Sequence, residues 1–458
     1  MKLPAAVFRE YDIRGTVGDQ LTPQGARAIG QAVATLAWER LRRAPRLAVG
    51  RDNRPSGPAL AEAVLSGIEA VGGHAVDVGE LPTPALYFAT HVLDVDGGVQ
   101  VTGSHNPPAF NGFKVVLGGD AVYGAGIQEL RRLIEEGRTP GRPGGLRSRE
   151  DGVLARYREA IVERNGPLPR RVKVVVDCGN GVSSLVAVAT LRQLGADVVA
   201  LFCESDGTFP NHHPDPTVPE NLRDLQAAVA REAPELGIAF DGDGDRIGAV
   251  DEGGRVVFGD QLLVLLGRDL ARRLGPGHAV IFDVKCSEVL PQELARVGLT
   301  PTMWKTGHSL IKQKMKEVGA PLAGEMSGHM FFGGDWYGFD DALFAAARLL
   351  RYVAEQGGPL SRLLADLPAT VSTPELRVDC PDELKFAIAA RAAAHFAAKY
   401  PVSTLDGVRI SFGDGWGLLR ASNTQPVLVL RFEASTPAAL AAHRAEVEGW
   451  LATQGIGA

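Results

Sequence analysis

The chain has 458 residues, 45% apolar and 22% charged, with a formal net charge of −6. A single hydrophobic core cannot serve that length, so roughly two to four domains are expected. The acidic balance speaks against nucleic-acid binding, and no window approaches the roughly 18 apolar residues that span a bilayer.

The first apolar run breaks at Arg9 and Glu10, unlike a signal peptide. Cys178, Cys203, Cys286 and Cys380 lie far apart with no CxxC pair. They read as buried thiols of a cytoplasmic protein.

In chain order, REYDIRG at 9–15 comes first, where Arg14 suits a phosphate ligand or a surface charge equally. At 46–50, RLAVG is a β-rich run followed by the polar loop RDNRPSG, a helix-like pattern and a second strand in GGHAVDVG. The same plan returns at 172–176 (VKVVV, DCGNGVSS, GADVVALF) and at 278–282 (HAVIF, DVKCSE, GLTPTMW). Strand, helix and strand without a hairpin signal predict parallel crossover units. Their recurrence predicts three similar α/β domains in tandem, with mixed, mainly parallel sheets. Ligands of such sheets bind at the carboxyl ends of the strands, so the polar loops are where chemistry is expected.

Composition marks the junctions. Residues 137–151, rich in Gly, Pro and Arg, read as a linker. DEGG at 251–254 reads as a hairpin turn before a helix at 261–274. Beyond Leu367 the spacing predicts strands at 371–378, 407–412, 417–421 and 427–432, with helices at 382–399 and 437–451. That pattern is a smaller C-terminal α+β domain with an antiparallel sheet. The expected domains are 1–152, 153–255, 256–367 and 368–458 around a central cleft.

VTGSHNPPAFNGFK at 101–114 places Ser104 at a strand end among Gly, Asn and Pro, with Lys114 ten residues on. This suits a reactive hydroxyl on a rigid shelf, although such residues also close turns. FDGDGDR at 240–246 is the strongest signal, because Asp241, Asp243 and Asp245 would repel one another without a neutralising cation. Hard oxygen ligands suit Mg²⁺. A calcium-binding helix-loop-helix is excluded, since its sixth position needs Gly and holds Arg246, between strands. AGEMSGH at 323–329 alternates Glu325 with Ser327, a pairing that fits sugar hydroxyls, and ends at His329. KTGHS at 305–309 reads as a helix cap, and RASNTQPVLVLR at 420–431 as an anion grip or a polar hairpin.

Together these loops resemble the α-D-phosphohexomutase family, whose pattern joins T-[GA]-S-H-N-P, DGDGDR, GE-x-SG and R-x-SNT in that order. GEMSGH is most similar to the bacterial phosphomannomutase/phosphoglucomutase branch. The resemblance implies an enzyme that interconverts hexose 1-phosphate and hexose 6-phosphate of mannose or glucose. It implies a phosphoryl group on Ser104, whose oxygen completes a Mg²⁺ shell with Asp241, Asp243 and Asp245. Lys114 and Arg246 would flank that group, with Lys114 first and His329 second as proton shuttle. Glu325 and Ser327 would hold sugar hydroxyls. Arg420, Ser422, Asn423 and Thr424 would hold the distal phosphate, with Arg431 behind them. Tyr11, Arg14, Lys285 and His308 would be further substrate contacts. Hexose 1,6-bisphosphate would be activator and intermediate, and the enzyme a monomer or weak homodimer whose partners are sugar phosphates, with no nucleic acid or membrane. A phosphomonoesterase passing the Ser104 phosphate to water and a non-catalytic sugar-phosphate binder are the rival readings.

Overall fold

Three times along the chain, a first strand is flanked in parallel by the second and third, and a fourth closes antiparallel on the third. The computed structural model describes residues 3–423 and 425–457. In the first sheet this unit comprises Arg46–Arg51, His74–Glu80, Gly97–Val101 and Phe110–Leu117. In the second it comprises Lys173–Asp177, Asp197–Leu201, Leu236–Phe240 and Ile247–Asp251. In the third it comprises Ala279–Asp283, Thr300–Trp304, Leu322–Gly324 and Met330–Phe332. Buried runs such as VKVVV form the middle of each sheet because helices cover both faces.

The fourth sheet has Val427–Ala434 and Gly415–Ala421 at its antiparallel centre. Helices Asp382–Ala397 and Pro437–Thr453 pack on it. Thr436 caps the latter by accepting from Ala439 N at 3.2 Å.

Two expectations are corrected. The stretch 137–151 is not all linker, because Leu146–Arg149 adds a parallel edge strand beside His74–Glu80. The predicted strand at 371–378 is two strands, Val371–Ser372 and Leu376–Asp379, separated by a segment containing Pro374, whose ring leaves no N–H for a ladder.

One apolar cluster runs through the first three sheets, joining Tyr87 and Phe88 to Tyr157, Phe240, Phe282 and the buried helix Ala342–Gln356. The fourth unit has its own cluster around Phe396, Leu430, Phe432 and Leu451. It meets the third through Trp416 and Leu418 on Val284, and through polar bonds such as Arg409 Nη1 to the carbonyls of Val284 (2.6 Å) and Cys286 (2.9 Å). Among the described residues no helix is long and apolar enough to cross a membrane. All four cysteines are free thiols, and Cys178 and Cys203, distant in sequence, meet at 3.3 Å.

Candidate active site

Ser104 stands just past the end of Gly97–Val101, nearly fully buried, at a backbone φ of +52°. The loop around it is held from below by Arg54, which is entirely buried. This guanidinium donates to the carbonyls of Ser104 (2.8 Å), Asn106 (2.5 Å), Pro107 (2.7 Å) and Phe110 (2.9 Å). Its charge is met by Asp52 at 3.1 Å. The Thr102 hydroxyl donates to Asp52 at 2.8 Å and accepts from Ser104 N at 2.8 Å.

The metal loop approaches from the second sheet. Gly242 is required there, since a Cβ would stand 2.5 Å from the Ser104 carbonyl oxygen. The Ser104 hydroxyl donates to Asp241 Oδ2 at 3.3 Å. Asp241 Oδ1 accepts the backbone N–H groups of Gly244, Asp245 and Arg246 at 3.0, 3.0 and 3.1 Å. Asp241, Asp243 and Asp245 are all fully buried, and their oxygens lie close enough to share one ion. Burial and then the other two carboxylates push Asp241 well above the usual carboxylate range. Buried Oδ1 atoms of Asp243 and Asp245 have no hydrogen-bond partner. Orphaned oxygens on converging carboxylates are the donor set of a hard divalent cation, so the residues fit one.

Lys114 bridges Asp243 Oδ2 (2.7 Å) and Asp245 Oδ2 (2.5 Å). Burial opposes its charge, but these carboxylates outweigh burial and hold its pKa well above the usual lysine value. Arg246 Nε donates to His329 Nε2 at 3.0 Å. The proton of a neutral His329 therefore sits on Nδ1, which lies 3.1 Å from Asp340 Oδ2. Lys312 holds the other Asp340 oxygen at 2.8 Å. His308 stacks on His329 with ring centroids 5.6 Å apart.

Glu325 is buried beside them, accepting Gly307 N at 2.6 Å, and the Ser327 hydroxyl lies 3.4 Å from it. Burial raises the Glu325 pKa. At the far side, Tyr11 OH donates to Thr306 O at 2.8 Å and accepts from Asn423 Nδ2 at 2.5 Å. First, third and fourth units thus meet at one hydroxyl. Arg420 Nε donates to Asp406 at 2.9 Å, Lys285 Nζ to Glu375 at 3.3 Å, and Arg14 to Asp12 at 2.5 Å and Asn106 at 3.2 Å. Arg431 supports Lys285 through its carbonyl oxygen. The Ser422 hydroxyl accepts Gln425 N at 3.2 Å. Thr424 lies outside the described residues.

Contacts link the expected residues in groups: Ser104 with Asp241, Lys114 with Asp243 and Asp245, Arg246 with His329, and Tyr11 with Asn423. Sequence reading missed those that hold them: Asp52 and Arg54, Thr83 (which donates to Asp243 at 2.5 Å), Asp340, Lys312, Glu375 and Asp406. Asp52 and Arg54 both lay in the polar loop RDNRPSG at a strand end, which was signal enough to look there. For the others no spacing marks the partner.

A buried hydroxyl beside an acidic cluster, with arginine and lysine side chains on neighbouring units, is an arrangement that suits phosphoryl transfer. Residues 5–140, 155–254 and 258–371 match alpha/beta/alpha domains I, II and III of phosphoglucomutase/phosphomannomutase, and residues 375–449 match its C-terminal domain. The chain belongs to the phosphoglucomutase/phosphomannomutase family. It is 48% identical over 436 residues to a phosphomannomutase/phosphoglucomutase of Pseudomonas aeruginosa, spanning 95% of this chain and 93% of that one. It is 45% identical over 440 residues to a phosphoglucomutase of Neisseria gonorrhoeae, spanning 95% and 94%. A crystal structure of a phosphoglucomutase/phosphomannomutase family protein from Burkholderia thailandensis superposes with a TM-score of 0.90 at 45% identity, covering 97% of each chain.

Proposed function

We propose that this chain interconverts hexose 1-phosphate and hexose 6-phosphate, with mannose, glucose or both as the sugar, through phospho-Ser104 and a hexose 1,6-bisphosphate. The observation that carries this reading is the Ser104 hydroxyl set 3.3 Å from Asp241 in the buried carboxylate cluster.

Asp241, Asp243 and Asp245 would hold Mg²⁺, which supplies charge neutralisation for the phosphoryl group. Arg54 fixes the loop so that the serine oxygen has one position, and near-attack placement supplies much of the rate in phosphoryl transfer. Phospho-Ser104 gives its group to the free hydroxyl of the bound sugar phosphate. Lys114 remains an ammonium and stabilises charge beside the transferred group. His329, oriented by Asp340 through Nδ1, exchanges the proton of the sugar hydroxyl through Nε2, where Arg246 N–H now rests. This gives His329 the shuttle role for which the sequence ranks Lys114 first. Glu325 and Ser327 hold the sugar hydroxyls, with His308 beside them. Arg420, Ser422, Asn423 and Thr424 hold the distal phosphate with Lys285 beside them, and Tyr11 and Arg14 are further substrate contacts.

The bisphosphate then turns end over end and returns its other phosphate to Ser104, so a trace of bisphosphate from solution primes the dephosphorylated enzyme. The phosphate grip lies on the domain at 368–458, whose polar contacts with the third unit permit opening.

The test supplies mannose 1-phosphate and glucose 1-phosphate separately, with Mg²⁺ and a trace of bisphosphate. Formation of the matching 6-phosphates is expected. Release of inorganic phosphate with no isomer formed would replace this reading by the phosphomonoesterase.

A further inference from the structure

Cations assigned to the substrate already face carboxylates of this chain, and the pairs differ in how firmly they are made. Arg420 is tied to Asp406, whose Oδ2 also accepts Thr306 N at 3.1 Å, so that carboxylate links two units and is fixed. Arg14 is shared between Asp12 at 2.5 Å and Asn106 at 3.2 Å. Lys285 is different. It is 6% exposed, and the only hydrogen bond of its ammonium among the described residues is a long one, 3.3 Å to Glu375 Oε2. Asp283 stands further off at 3.8 Å.

Glu375 is built to let go. It follows Pro374 in the short segment between the strands Val371–Ser372 and Leu376–Asp379, at the passage from the third unit to the fourth. Its side chain is 25% exposed, and its other oxygen accepts Arg377 Nε at 3.2 Å from solvent-exposed ground. Burial pushes its pKa up, but Lys285 and then Arg377 bring it down to about 2, so it is ionised at neutral pH.

A phosphate dianion and a carboxylate cannot both sit on one buried ammonium without strong repulsion. With only the more distant Asp283 at 3.8 Å to compensate it, the buried ammonium would release phosphate slowly. On the mutase reading above, the bisphosphate must leave this grip once in every turnover. We infer that Glu375 is the removable counter-ion of Lys285, displaced when the substrate's phosphate binds and restored when the bisphosphate lets go to turn round. Each release then exchanges one close ion pair for another, with Asp283 the constant, more distant partner. Glu375 is thus a positioning residue that keeps ground-state binding weak, since extra affinity shared by substrate and intermediate adds nothing to turnover.

The experiment compares the wild type with Glu375→Gln and Glu375→Asp in the full-length protein. With glucose 1-phosphate as substrate, KM and the inhibition constant for inorganic phosphate should each fall about tenfold in Glu375→Gln. The value of kcat should fall with them, because turning is slowed. Glu375→Asp, which keeps the charge, should lie close to the wild type. A merely structural Glu375 predicts the opposite split, with KM raised, and that result or an unchanged phosphate constant overturns the inference. If Glu375→Gln does not fold, Glu375→Ala, which needs no hydrogen bond, is read in the same way. Calorimetry of inorganic phosphate binding needs no turnover and so separates the two ideas. No isomer formed by the wild type would remove the mutase reading, whereas equal phosphate affinity in wild type and variant would remove the counter-ion.

Discussion

The two ends of the cleft are built on different principles. At the serine end, charged groups are sealed: Arg54, Asp52, Asp241, Asp243, Asp245 and Lys114 are all buried and joined by short bonds across two sheets that share one apolar cluster. At the phosphate-grip end, the fourth unit has its own core and reaches the third through arginines and a small patch around Trp416. Chemistry that must place a phosphoryl group calls for the first arrangement, because misplacement is costly in rate. Holding a sugar that must be released and recaptured calls for the second, because polar interfaces between domains open readily.

Substitutions on the two sides should therefore fail in different ways, and the largest contrast lies at Ser104. Ser104→Ala should lose all mutase activity, and intact mass should show no added phosphate where the wild type carries one. Its affinity for glucose 6-phosphate, measured by calorimetry, should stay within about threefold, since the grip lies elsewhere. Turnover in the alanine protein would erase the distinction between the two ends.

Removing the divalent cation comes next. Chelation should lower the rate by about a hundredfold or more, because charge neutralisation is the main source of catalysis here. Binding of inorganic phosphate should survive chelation, and added Mg²⁺ should restore the rate. Loss of both together would show that the grip depends on the metal loop.

The last contrast, read in stability and KM and not in turnover, separates two buried arginines. Arg54→Ala strands several carbonyls and the Asp52 carboxylate, so it should cost about 3–5 kcal/mol of stability in denaturant unfolding. Arg420→Gln should leave the unfolding midpoint nearly unchanged and raise KM instead. Equal losses of stability would mean that the fourth unit is as tightly built as the first.

Much of this was legible in the sequence, for a definite reason. Several proposed site residues crowd one short loop each, so Ser104 in its Gly-, Asn- and Pro-rich stretch, the alternating Asp241, Asp243 and Asp245, and Glu325 with Ser327 stand out by spacing. The three crossover units were equally readable from their buried β-rich runs. What sequence hid were partners whose pairing no local spacing marks. Asp340 finds His329, Glu375 finds Lys285, and Cys203 finds Cys178 only after folding. The edge strand at Leu146–Arg149 was hidden because Gly- and Pro-rich flanks give the same local signal whether or not a neighbour's edge stands ready to pair.

The left-handed backbone at Ser104 has a consequence for how this chain can drift. L-residues with a Cβ dislike that region by about 1 kcal/mol, whereas glycine occupies it freely. Selection for sturdiness alone would hence favour glycine at position 104, yielding a better-folded protein with nothing to phosphorylate. The nucleophile persists there only as long as its reaction is needed, and a relative relieved of that need should lose it early.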